Sequence, residues 1–104
     1  MENNKYIVKI APKAVKDLDE IYKYISGNLY NQDAADKLIN KIELKIKRLG
    51  IFPFSCELVA DDILKDKGYR KLIVENYIVF YLIKDKSVFV MRVLYGAQKY
   101  NDLI

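Results

Sequence analysis

The sequence has no histidine and a single cysteine, Cys56, among 104 residues. The missing histidine removes the commonest general base and metal ligand, and it excludes Ser–His and Cys–His nucleophile pairs. One thiol excludes an intrachain disulfide and any cysteine metal cluster. No helix-start or cationic pattern around Cys56 marks a reactive thiolate. Apolar runs fall far short of the roughly 20 residues that span a bilayer. The opening MENNKYIVKI lacks the charged start and apolar core of a signal peptide. The expectation is therefore a cytoplasmic protein with no cofactor, no metal and no membrane association.

What is present is ordinary globular material. Hydrophobic residues make up 52% and charged residues 31%, with a net charge of +4. That composition supports a packed core, and the length suits one domain over residues 1–104. The mild basicity is compatible with a nucleic-acid or acidic-protein partner, and equally with none.

The patterning gives the order β-α-α-β-β-β, an α+β domain. Tyr6 to Ile10 is a β-branched strand, and Pro12 is suited to a first helical turn. Val15, Leu18, Ile21, Tyr22 and Ile25 form a helical stripe that ends at Gly27 and Asn28. Asn31 is a candidate N-cap for a second helix, with Asp33 in its first turn. Its stripe is Ala35, Leu38, Ile39, Ile42, Ile46 and Leu49, stopped by Gly50. The short connection predicts an antiparallel helix hairpin. Asp61 to Lys67 reads as a loop or one helical turn. Strands follow at 69–74, 77–83 and 88–94, and connections this short force antiparallel neighbours. The predicted architecture is the helix hairpin packed on a mainly antiparallel four-stranded sheet.

Alternation along the strands makes both sheet faces apolar. Tyr77, Val79, Tyr81 and Ile83 point one way, and Ile78, Phe80 and Leu82 the other. In the last strand the expected split is Val88, Val90 and Leu94 against Phe89, Met91 and Val93. The hairpin covers one face. The second needs the 51–66 segment, the C-terminal tail or the sheet's own curvature, or else another chain, because a bare face would exceed the apolar patch that monomers tolerate.

Several phrases carry a resemblance. AVKDLDEIYKYI, IKRLGIFPF, YRKLIVENYIVFYLI and VFVMRVLYGAQKY, in this order from Tyr6 to Tyr100, resemble the RelE/ParE superfamily, the toxins of bacterial type II toxin–antitoxin (plasmid stabilisation) systems. The resemblance implies a small basic toxin neutralised by a cognate antitoxin that lies over its groove and sheet. RelE-like members cut messenger RNA on the ribosome using lysine, arginine and tyrosine side chains. ParE-like members poison DNA gyrase without catalysis.

If the chain belongs to the nuclease branch, the candidate catalytic residues here are Lys71, Arg92, Tyr95 and Tyr100. Arg70, Lys71, Arg92 and Lys99 are the candidates for binding a nucleic acid or another target. The pattern is incomplete. Tyr69 stands at one of two basic positions on the first of the three strands, Ile78 replaces the arginine that follows the tyrosine, and Tyr95-Gly96 stands where a late arginine is expected. A buried isoleucine supplies none of the charge that stabilises a pentavalent phosphate. IYKYI, DAADKLINKI and IFPF match the ParE-like branch better. The readings are thus a gyrase poison first, a ribosome-dependent endoribonuclease second, and an inactive antitoxin-binding relative third. For Arg70, Lys71 and Arg92 the structural alternative is a rim position or an ion pair, for instance with Glu75. Lys37, Lys41, Lys45 and Arg48 form a cationic stripe on the second helix, either a solvated face or a partner contact. Tyr22 and Tyr24 read as core and rim.

Overall fold

A computed structural model describes residues 5–96 and residue 104. The elements are β1 (Ile7–Ile10), α1 (Pro12–Lys23), α2 (Gln32–Arg48), α3 (Asp62–Asp66), β2 (Arg70–Val74), β3 (Tyr77–Lys84) and β4 (Ser87–Tyr95). The order agrees with the predicted β-α-α-β-β-β, with α3 as the single turn allowed for between the hairpin and the sheet. Pro12 occupies the start of α1 after an extended Ala11, where its missing N–H costs nothing. α1 runs on into one wider π-type turn, Tyr24–Asn28. Asn31 caps α2, its side chain accepting from the Ala34 N–H at 3.0 Å.

The helix stripes bury mostly as expected. Ala14, Leu18, Ile21 and Ile25 of the first helix meet Leu38, Ile42, Ile46 and Leu49 of the second in one cluster. Val15 departs from expectation and is 54% exposed. It sits about 100° round the helix from Ala14, and packing through Ala14 turns it to solvent.

The sheet order is β1-β4-β3-β2, with β1 parallel to β4 and the other pairs antiparallel. Both hairpins turn in two residues whose first member takes a left-handed φ, Glu75 at 55° and Asp85 at 56°. Tight turns of that hand match the twist of the strands they join.

Alternation in β3 is as predicted: Val79 and Tyr81 face the helices, while Ile78, Phe80 and Leu82 face away. In β4 it is not. Phe80 pairs with Arg92 but Tyr81 pairs with Val90, so Met91 is an extra residue, a β-bulge. The bulge resets the alternation. Val93 joins Val88 and Val90 under the helices and Leu94 joins the opposite face, the reverse of the predicted assignment.

The opposite face is covered from within the chain. Val59, Leu64 and Tyr69 pack on Phe80 and Leu94, with Ile78, Leu82, Met91 and Ile104 at the margin. Of the covers left open for this face, the fold uses the 51–66 segment, followed by Tyr69, and not another chain. That segment is tied down by backbone bonds: Val59 N–H to the Tyr69 carbonyl at 2.9 Å and Lys71 N–H to the Glu57 carbonyl at 3.2 Å.

Tyr81 joins the two halves. It is fully buried, and its hydroxyl donates to the Pro53 carbonyl at 2.9 Å. Burial pushes its phenol well above the ordinary value of 10.0. The unfolded chain releases this proton near pH 10 and the fold retains it, so the contribution is intact below that pH and is lost as pH rises through the folded value. Tyr81→Phe should cost about 1–2 kcal/mol of unfolding free energy at pH 7 through the lost hydrogen bond. It should also flatten the alkaline fall in stability above about pH 10. Urea titrations of both proteins between pH 7 and 11 measure the two effects.

Candidate functional site

Asp17 lies within the buried stripe of α1 and is itself only 7% exposed. An anion there requires partners, and β4 supplies them. Arg92 donates from Nε to Oδ2 at 2.8 Å and from Nη2 to Oδ1 at 2.9 Å, and the Val93 backbone N–H donates to Oδ2 at 2.9 Å. β1 ends opposite Val90, where the Ala11 N–H bonds the Val90 carbonyl. Beyond that point the Asp17 carboxylate takes the place of a neighbouring strand's carbonyl on the edge of β4. The Asp17 hydrogen bonds hold the Arg92 guanidinium above its ordinary pKa, against a smaller opposing effect of burial.

Next to this clamp, α1 and the end of β4 enclose a cleft of about 660 Å³. Glu20, Ile21 and Tyr24 line it from the helix, and Tyr77, Val93, Leu94 and Tyr95 from the sheet. Tyr77 and Tyr95 pack edge to face, ring centroids 5.7 Å apart at 66°. Burial raises the Tyr77 phenol, and the neighbouring Tyr24 and Tyr95 phenols add to the shift. Tyr24 and Tyr95 are about half exposed. Such a wall of amphipathic rings over an apolar floor suits contact with another macromolecule.

The remaining sequence-predicted residues lie elsewhere. Lys71 and Arg92 share a row across the sheet, each paired with Phe80 from its own side, which sets their backbones about 10 Å apart. Lys71 approaches Glu57 at 4.0 Å. Arg70 donates from Nη1 to the Cys56 carbonyl at 2.6 Å and lies over the Phe54 ring at 5.1 Å. The suggested ion pairing with Glu75 is corrected: Glu75 holds Lys41 at 2.9 Å. Lys99 and Tyr100 lie outside the described residues. Ile78 belongs to the apolar cluster of the outer face.

The structure thus brings together Arg92 and Tyr95 and leaves Arg70 and Lys71 apart from them. Asp17, Glu20, Tyr24 and Tyr77 complete the cleft, and sequence reasoning did not select them as site residues. One signal was available for Asp17: it follows Ala14 by three and precedes Ile21 by four, which places a carboxylate on the buried stripe. Among the described residues no cluster of histidine, cysteine, aspartate or glutamate could hold a metal ion, and no helix is long and apolar enough to cross a membrane.

Comparison with known proteins agrees with this architecture. Residues 8–100 match the family described as ParE toxin of type II toxin-antitoxin system, parDE. The chain belongs to that toxin family. No curated protein matches it by sequence. Among solved structures it is similar to a chain of the chromosomal ParDE toxin–antitoxin system from P. aeruginosa, with 22% identity and a TM-score of 0.74 over 89% of this chain and 98% of that one. The RelBE2 toxin–antitoxin complex of Mycobacterium tuberculosis contains a similar chain at 18% identity and TM-score 0.58, over 88% of this chain and 98% of that one. The E. coli DinJ-YafQ complex contains another, at 15% identity and TM-score 0.59, over 89% and 94%. At these identities the likeness is one of fold.

Removing either half of the clamp strands the other in a nearly dry site. Asp17→Ala should destabilise the domain by about 3 kcal/mol, lowering the melting temperature by roughly 10–20 °C. Asp19→Ala breaks only the exposed pair with Lys23 and should change stability by less than about 1 kcal/mol. Thermal unfolding followed by circular dichroism separates the two.

Proposed function

We propose that this chain is the toxin of a toxin–antitoxin pair and stops growth by binding a protein target, DNA gyrase, in the cytoplasm. The observation that carries this reading is the commitment of its strand cations. Arg92 is bound bidentate to Asp17 and Arg70 to the Cys56 carbonyl, which leaves Lys71, 4.0 Å from the exposed Glu57, as the least engaged of the three. Phosphoryl chemistry needs several donors aimed at one developing charge, and the described residues assemble no such group. The aromatic cleft between α1 and β4 offers a protein-binding surface instead, with Tyr95 and Tyr24 at its mouth. The family match supports the ParE-like branch, for which the resemblance implies gyrase as target, and the toxin–antitoxin complexes among its structural neighbours support a cognate antitoxin as partner.

The endoribonuclease reading has one observation in its favour, the alignment of Lys71 and Arg92 in a single row of the sheet. Induced expression in a bacterial host distinguishes the two. A gyrase poison should produce filamentous cells with an activated DNA-damage response, and purified protein should inhibit supercoiling by purified gyrase. An endoribonuclease should stop translation within minutes and leave cleaved transcripts. Unaffected growth would leave the third reading, a relative that only binds its antitoxin. For the gyrase reading, Lys71→Ala should keep killing within about twofold of the parent. Tyr95→Ala should reduce it by about tenfold or more, as expected for an aromatic contact at the heart of an interface. Viable counts after induction measure both.

A further inference from the structure

The cleft between α1 and β4 has a charge as well as a shape. Asp17, Glu20, Ile21 and Tyr24 recur at steps of three and four, so one stripe of α1 forms its wall. Asp17 and Arg92 answer each other. Glu20 does not share in that pairing. It is exposed and makes no ion pair among the described residues. It lies near enough to Arg92 to add a little to the upward shift of that guanidinium, yet the Arg92 side chain is turned to Asp17. Glu20 is thus the one anion of the lining without a contact partner.

Aromatic rings stand beside this carboxylate. Tyr24 follows Glu20 by four, which puts their Cβ atoms about 5–6 Å apart on the helix surface. Across the cleft Tyr77 packs edge to face on Tyr95, and Tyr24 is near enough to Tyr77 to push its phenol further up. The π-type turn begins at Tyr24 itself, and such widened turns are enriched at functional sites. Ring faces attract cations through their quadrupole, and a carboxylate does so through its full charge. An anion would be repelled by both. A neutral apolar side chain would use the floor of Ile21 and Leu94 and leave Glu20 unanswered. An arginine side chain uses everything present: its methylenes suit the floor, and its planar guanidinium suits both the rings and the carboxylate.

We propose that this cleft takes an arginine side chain from a protruding segment of the protein target, with its guanidinium on the Tyr24 and Tyr77 rings and against the Glu20 carboxylate. This rests on the reading that the cleft binds a protein, and it gives that surface its chemistry.

The test is titration of the whole, isotope-labelled chain with blocked, glycine-flanked tripeptides, followed by nuclear magnetic resonance. The central residue is arginine, citrulline (the same shape without the charge) or norleucine (an apolar stem alone). The arginine peptide should give saturable shifts at Glu20, Ile21, Tyr24 and Tyr77 and bind about tenfold or more tightly than either neutral peptide. Glu20→Gln should weaken it roughly three- to fivefold and remove most of its salt dependence. Tyr24→Leu should weaken it about threefold or more. Asp19→Asn removes the same charge one residue away, where it pairs with Lys23, and should stay within about twofold of the parent. Circular dichroism checks folding. In a second arm, supercoiling by purified gyrase, Glu20→Lys should raise the inhibitory concentration about tenfold or more. Glu43→Lys, an equal charge change on the exposed side of α2, should stay within about threefold.

Equal binding of the arginine and citrulline peptides, or no saturable shift at the cleft, would overturn the proposal. So would a norleucine peptide that binds as tightly, which would make the cleft an apolar socket. Self-association of the parent that Tyr24→Leu abolishes would make the occupant a second copy and overturn it too. A parent that inhibits gyrase, with Glu20→Lys equally potent, would overturn it and leave the gyrase reading standing. A parent that leaves gyrase untouched but binds the arginine peptide as expected would remove the gyrase reading and uphold the chemistry of the cleft.

Discussion

Asp17 is an anion set into the apolar stripe of α1, and the fold closes around the three β4 hydrogen bonds that satisfy it. The first helix must lie where its carboxylate can reach the Val93 N–H, just past the end of β1. The last strand must present Arg92 and Val93 together at that point. The bulge at Met91 makes this possible by shifting the strand's alternation, so that Val93 enters the helix-side core and Leu94 the outer one. An ion pair this dry adds little net stability beyond what apolar residues would give, but it penalises any arrangement that separates its members. It therefore acts on register: one helix position is matched to one strand position.

That constraint also bears on function. Arginine is the residue best suited to a phosphate, and here the arginine of β4 is occupied by a carboxylate of its own chain. Arg70 is used to hold the loop that follows α2, and Lys71 lies beside Glu57. Two of the three strand cations that looked available for chemistry, Arg92 and Arg70, are engaged in shape. What the fold leaves at its surface are rings: Tyr24, Tyr77 and Tyr95 at one cleft, Phe52 and Phe54 on the loop that follows α2. Both are held by hydrogen-bonded elements, so little ordering is lost when a partner binds.

Much of this was legible beforehand. The two helices, their order, the Asn31 cap and the hairpin turns follow from periodicity and local chemistry. The alternation of β3 is correctly read because that strand is regular from Tyr77 to Lys84 on its own side. The faces of Val93 and Leu94 are not, because a bulge depends on two strands together and has no signature within one. The cover of the outer face was left open for the same reason. Val59 and Leu64 are isolated apolar residues in an irregular segment, and nothing local states that the segment folds back over the sheet.

Residue type and spacing determined the α+β order, and the quoted phrases in sequence carried the resemblance to a toxin family, against whose nuclease pattern Ile78 stands out. Those properties are local: a helical stripe, a turn or a missing arginine needs no other part of the chain to be recognised. Tertiary structure decided the rest. It chose Asp17 rather than Glu75 as the partner of Arg92 and placed Tyr77 and Tyr95 opposite Tyr24. Each of these depends on which surfaces meet, and that is fixed by packing between segments as far apart as residues 17 and 92.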